Sequence, residues 1–277
     1  MTAKIISDSG ANVLELDSVS FSNVPLTIHA GGKDFKDDEQ LDVDGLVRTL
    51  HETEGRTSTA CPGISQWHES FEGADEIYVI TITSILSGSY SSAARAADLY
   101  LEEHPDTKIH VFDSLSAGPE MELVINKLSE LIKDGNDFAT VCRETENYMK
   151  TTHMTFSLES LENLAKNGRI SPAVAKIAGM LNIRVIGRPD DGKLTPIAKV
   201  RGARKTIKAI ISDMDEHGFD SGHAAIVHIM NEDGAESLKQ AILEAHPRAS
   251  VSIRSARGLC TYYAQKGGLM VGYEGAE

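Results

Sequence analysis

The stretch that most constrains this fold runs over residues 77–100, I-Y-V-I-T-I-T-S-I-L-S-G-S-Y-S-S-A-A-R-A-A-D-L-Y. Residues 77–82 are β-branched and aromatic, the composition of a buried strand. Residues 83–89 pack hydroxyls and a glycine into one short turn. From Tyr90 onward, Ala93, Ala94, Ala96 and Ala97 predict a helix, with Ser87 or Ser89 as a natural N-cap. A strand that feeds a small-residue turn and a helix N-terminus is where open α/β sheets place ligands. The helix end offers unpaired N–H groups and a partial positive charge, so it favours an anion. No Lys or Arg falls between Ile77 and Ala94, which suits a singly charged head group such as a carboxylate better than a polyphosphate. The same residues would equally make a hydroxyl-capped helix start with no ligand.

Charge narrows the partners. With 27 Lys and Arg against 41 Asp and Glu, the formal net charge is −14, which argues against general electrostatic binding of nucleic acid or an anionic membrane surface. At 277 residues the chain has room for one large or two ordinary domains. The opening M-T-A-K-I-I-S-D-S-G reads as a strand start without a signal-peptide core, and no apolar run approaches a membrane span. Cys61, Cys142 and Cys260 are widely spaced with no CxxC, a pattern suited to a reduced cytoplasm. The ten histidines are scattered without H-x-H or H-E-x-x-H, and no Walker-type loop occurs, so neither a metal nor another cofactor is expected.

Taken in order, residues 4–6 form a short strand stopping at Ser7-Asp8-Ser9-Gly10, where Asp8 is expected to turn the chain. Residues 24–28 are extended and lead to a Gly31-Gly32 turn. The acids Asp37, Asp38, Glu39, Asp42 and Asp44 precede a helix over 43–50 and read as a solvated, helix-capping loop. Arg56-Thr57-Ser58-Thr59-Ala60-Cys61-Pro62-Gly63 is a second hydroxyl-rich loop, suited to ligand donors or to capping a helix from Ile64. Cys61 has no basic neighbour in sequence and reads as a packed thiol. A strand over 109–112 and helices over 120–133 and 138–150 complete a parallel α/β first domain, residues 1–152. In the second domain, residues 153–277, residues 156–166 form an amphipathic segment, and Arg169 precedes a helix over 172–181. Asp190-Asp191-Gly192 turns a hairpin between 183–187 and 194–200. A helix over 202–214 carries Arg204, and strands over 224–230, 250–253 and 267–273 flank a helix over 235–246.

In their order and spacing these segments resemble the DegV family of bacterial fatty-acid-binding proteins. The resemblance rests on Ser7-Asp8-Ser9, Val24-Pro25-Leu26, Arg56-Thr57-Ser58 before Pro62, and Leu86-Ser87-Gly88-Ser89-Tyr90. It continues in Ser160-Leu161-Glu162-Asn163-Leu164, Gly168-Arg169-Ile170-Ser171 and Lys199-Val200-Arg201-Gly202. It implies a two-domain α/β fold, a parallel-sheet three-layer N-terminal domain with a smaller α/β C-terminal domain covering the acyl chain. It also implies a non-catalytic cytoplasmic carrier that presents one long-chain fatty acid to a separate fatty acid kinase for acyl phosphate formation. On this resemblance Thr57, Ser58, Ser87, Gly88, Ser89 and Tyr263 would hold the carboxylate, and Arg169, Arg201 and Arg204 would serve the kinase. Two stretches depart from the pattern. Thr59-Ala60-Cys61 stands where the family has Gln-Pro-Ser, and Tyr263-Ala264-Gln265-Lys266-Gly267 where it commonly has His-Thr-Gly-Pro-Gly. If Tyr262 and Tyr263 are extended, only one of them can face a ligand. The rival readings are a serine hydrolase using Ser87, which lacks a G-x-S-x-G elbow, and a phosphotransferase subunit with a phosphorylated His51, His68 or His153.

Overall fold

The computed structural model of the chain describes residues 2–175 and 183–276. The first unit runs β1 (Ala3–Asp8), β2 (Ser20–Val24), β3 (Thr27–Ala30), β4 (Lys33–Lys36), α1 (Val43–Glu52), β5 (Ser58–Ala60) and α2 (Ile64–Ser70). It continues through β6 (Glu76–Thr81), α3 (Ser89–Glu103), β7 (Lys108–Asp113), α4 (Pro119–Lys133) and α5 (Phe138–Met149). The second runs β8 (Thr152–Leu158), α6 (Glu162–Lys166), α7 (Pro172–Ala175), β9 (Ile183–Asp190), β10 (Lys193–Arg201) and α8 (Ala203–Glu216). It closes with β11 (Ser221–His228), α9 (Glu232–Ala245), β12 (Arg248–Ser255), α10 (Gly258–Ala264) and β13 (Leu269–Glu274).

β2, β1, β6 and β7 form a parallel sheet in that order. Residues Ile77–Thr81 of β6 are all buried, as expected for a strand covered on both faces. Ala93, Ala96 and Tyr100 of α3 pack with Trp67 and Phe71 on one face. Met121, Val124, Ile125 and Leu128 of α4 pack on the other, giving three layers. The chain leaves β1 for β2 on one side and returns to β6 on the other, so the crevice between the C-terminal ends of β1 and β6 is a switch point, where open α/β sheets bind ligands. A small antiparallel sheet, β4-β3-β5, lies beside this edge.

The second sheet has the order β10-β9-β8-β13-β11-β12 and is mixed, only β11 and β12 being parallel. Helices α8 and α9 cover one face with Ile210, Met214, Leu238 and Ile242. Helix α4 wedges between the two sheets: a Cβ on Gly272 of β13 would stand 2.6 Å from the Glu120 amide nitrogen, so that strand needs a bare backbone there. The expected hairpin forms with Asp191 and Gly192 both at positive φ (47° and 78°). Its tip docks on the first unit, where Thr83 Oγ1 donates to the Gly192 carbonyl at 3.1 Å.

Two expectations are corrected, and one stated condition is not met. Residues 156–166 are not one amphipathic segment, because residues through Leu158 belong to β8, paired on both sides, and the helix is only Glu162–Lys166. Leu158, Leu161 and Leu164 still join one core. Tyr262 and Tyr263 are not extended but lie in helix α10. Asp37 is fully buried and not solvated, although Asp42 does cap α1 by accepting from Gly45 N. Of the expected helix over 172–181, residues 176–181 lie outside the described residues.

Candidate functional site

A cavity of about 310 Å³ opens at the switch point, within the size range of small-molecule sites. One wall is Gly10 and Ile82, which follow β1 and β6, and the opposite wall is Met154, Phe156 and Leu158 on one face of β8. Leu194, Leu259 and Met270 add to a lining that is mostly apolar. Polar groups gather around Ser87, Gly88, Thr59, Tyr263 and Arg169. No His, Asp or Glu is among the described residues that line it, so Ser87 has no general base there.

Ser87 sits just before α3, and its Oγ accepts from Ser89 N at 3.2 Å, which leaves the hydroxyl proton free to donate. The 15-residue α3 directs its positive end at the same point. Tyr263 OH and Thr59 Oγ1 are 2.8 Å apart. One hydrogen bond joins these two hydroxyls, so one proton remains for a ligand. Burial, partly countered by the Thr59 bond and the nearby Arg169 charge, raises the Tyr263 pKa, and the phenol stays protonated at neutral pH. Arg169 is half-buried and anchored through Nε to the Leu86 carbonyl at 3.0 Å. Its NH1 also donates to the Asn167 carbonyl. The cavity therefore pairs a long apolar wall with a cation, hydroxyls and a helix N-terminus, the combination that a carboxylate on an aliphatic chain would satisfy.

Of the expected carboxylate ligands, Ser87, Gly88 and Tyr263 line the cavity and Thr57, Ser58 and Ser89 do not. Thr57 is buried, with its Oγ1 2.8 Å from Tyr262 OH. Ser58 pairs with His29 in the small sheet. Ser89 is fully buried as the first residue of α3; it is not an N-cap, and its hydroxyl donates to Asp8. Arg169, expected on a partner-binding face, lines the cavity instead. Arg201 and Arg204 are exposed at the end of β10 and the start of α8, outside the cavity. Sequence reasoning placed Thr59 in a loop suited to ligand donors but did not single it out as a ligand. The signal was strand alternation: Thr57 and Thr59 face the same way, and each meets one of the paired tyrosines.

Two buried carboxylates hold this site in place. Asp8 does more than turn the chain, for it accepts from Gly10 N and Ile82 N, both at 3.0 Å, and from Ser89 Oγ, joining β1, β6 and α3. Burial pushes its carboxyl up to about 6 against the pull of those bonds. Asp37 accepts from Gly258 N at 2.7 Å and Leu259 N at 2.8 Å, which caps α10 and so fixes Tyr263. Burial raises its pKa as well.

Beyond Met154 lies a second, polar cavity of about 480 Å³, lined in part by Glu120, Thr152, Arg188 and His217. Met154 borders both cavities and is the partition between them.

The fold and site define an α/β protein of two large sheets and one small one, built around an apolar cavity that is polar at one end. The family model described as "Uncharacterised protein, DegV family" matches residues 2–274. The chain belongs to the DegV family. A DegV domain-containing protein of Streptococcus pneumoniae is 40% identical over 279 residues, covering 99% of each chain. The crystal structure of the Streptococcus pneumoniae Fatty Acid Kinase (Fak) B3 protein loaded with linoleic acid superposes with a TM-score of 0.97 at 40% identity, covering 99% of each chain. A DegV family protein from Eubacterium eligens loaded with heptadecanoic acid also gives 0.97 at 40% identity, covering 99% of this chain and 100% of the other. Among the described residues no helix is long and apolar enough to cross a membrane, and no cluster of metal-ligating side chains occurs.

Proposed function

We propose that this protein is a non-catalytic carrier that binds one long-chain fatty acid and presents it to a separate fatty acid kinase, which forms the acyl phosphate. The observation that carries the reading is an apolar cavity in which Arg169 is the one cation among the described lining residues, with hydroxyls grouped beside it. The two similar proteins loaded with linoleic and heptadecanoic acid support the ligand class. Each buried methylene contributes about 0.8 kcal/mol, so a chain of roughly sixteen carbons gains on the order of 10 kcal/mol, enough to offset desolvation of a well-paired carboxylate. Arg169, Ser87, Gly88, Thr59 and Tyr263 take the head group. Residues 1–152 supply the switch-point loops and residues 153–277 the β8 wall that covers the acyl chain.

The kinase is assigned to the outer face of the second unit. Residues 199–208 carry Lys199, Arg201, Arg204, Lys205 and Lys208 and no acid, in a chain of net charge −14. Such a stripe suits an acidic partner surface. The free thiols of Cys61, Cys142 and Cys260 suit a reducing cytoplasm.

The test is displacement of a fluorescent long-chain acid from delipidated protein by hexadecanoic acid and by hexadecanol. Loss of a charged partner costs about 1.5–3 kcal/mol, so Arg169→Met should weaken the acid roughly 10- to 150-fold and leave the alcohol nearly unchanged. Equal weakening of acid and alcohol would remove Arg169 from the head group. Failure of the wild type to bind any acid would remove the carrier reading.

A further inference from the structure

The β8 wall of the apolar cavity has an unusual backing. Phe156 stands directly opposite Gly187 in the antiparallel β8–β9 pair, so both positions point to the cavity face of the sheet. The neighbouring pair on that face, Leu158 and Val185, carries two full side chains, and all three side chains pack in one core. At Gly187 the side chain is missing, and the Phe156 ring fills its place. A Cβ on residue 187 would stand 2.6 Å from Phe156 Cε2, closer still to its Cζ, and 2.7 Å from the Thr195 carbonyl oxygen. The ring therefore lies flat over a bare backbone and not upright in the cavity. Phe156 is 4% exposed and still lines the cavity between Leu158 and the Met154 partition.

We infer that Phe156, seated on Gly187, is the specificity-determining residue that sets the bore of the acyl cavity. With the ring laid back, the cavity admits an aliphatic chain past this point. Any group that lifts the ring narrows the passage, and any smaller side chain at 156 widens it into the hollow above Gly187. The class of ligand affected is defined by width: straight acyl chains pass the native bore, and chains carrying a mid-chain methyl branch are excluded by it. This rests on the fatty-acid reading above and adds to it which acids are chosen.

The experiment measures affinities of delipidated protein for hexadecanoic acid and for a mid-chain methyl-branched acid of the same chain length, together with thermal unfolding of each variant. A single methylene in an apolar pocket discriminates by roughly 10- to 200-fold. Phe156→Leu should raise the branched-to-straight affinity ratio on the order of tenfold. Phe156→Trp should weaken the straight acid by a similar factor in a protein that unfolds near the wild-type temperature. Gly187→Ala should also weaken the straight acid, and adding Phe156→Leu to it should restore binding. The Thr195 carbonyl contact persists in that double variant, so lack of restoration in a folded protein would assign the effect to the backbone and overturn the inference. An unchanged ratio in Phe156→Leu and Phe156→Trp would overturn it too. Absence of acid binding by the wild type is a separate outcome and counts against the fatty-acid reading itself.

Discussion

Glu120 offers a sharp test of how the two units are joined. It lies in the first turn of α4, where that helix wedges between the sheets, and it is only 8% exposed. Its carboxylate accepts from Thr152 Oγ1 at 3.1 Å and from Ser116 Oγ. Burial outweighs those bonds and pushes the carboxyl from its ordinary 4.5 up to about 7. At about 1.36 kcal/mol per pH unit, holding the charged form in the fold costs about 3 kcal/mol above pH 7. The folded protein binds this proton more tightly than the unfolded chain does. Stability is therefore full below pH 4.5, falls as pH rises toward 7, and is level above it. Glu120→Gln removes the titration and keeps the bonds, because both partners are hydroxyls that can accept as well as donate. Denaturant unfolding of delipidated wild type and variant from pH 4.5 to 8.5 should show the variant gaining on the wild type by about 3 kcal/mol. A stability difference that stays constant over that range would refute the reasoning. Asp8→Asn provides the contrast. Two of the Asp8 partners are backbone N–H groups, which cannot reverse, so an asparagine NH2 would face a donor and orphan it at about 1–3 kcal/mol.

Three further outcomes are expected. Tyr263→Phe removes one neutral donor and should weaken fatty-acid binding by about 1 kcal/mol; unchanged affinity in a displacement assay would leave Tyr263 a packing role only. Cys61 and Cys260 both line the cavity, but only Cys61 is half-buried, whereas Cys142 and Cys260 are buried. Bound fatty acid should therefore slow N-ethylmaleimide labelling of Cys61 by about 1 + [L]/Kd, and labelling indifferent to ligand would place the chain elsewhere. Arg201→Ala and Arg204→Ala should lower kinase-dependent acyl phosphate formation without changing lipid affinity. Loss of lipid binding would contradict the partner role.

What the sequence disclosed depended on how far apart the cooperating residues lie. The strand, turn and helix over 77–100 could be read because the apolar run, the serines and the alanines are adjacent. The hairpin at Asp191-Gly192 could be read because its turn chemistry is local. Ser89 looked like a ligand because nothing near it in sequence shows that its hydroxyl is committed to Asp8, 81 residues away. Helix α10 has no cap of its own, since its cap is Asp37, 221 residues upstream, and its residues alone did not separate helix from strand. Arg169 was legible as a cation after a glycine turn, but its inward placement depends on the Leu86 carbonyl in the other unit.

The most direct measurement of the central proposal is native mass spectrometry of the purified protein, followed by lipid analysis of the solvent extract. The expected result is one long-chain fatty acid per chain, lost on delipidation and regained when the acid is added back. A protein that carries no acyl ligand and takes up none would contradict the assignment of the switch-point cavity to a fatty acid.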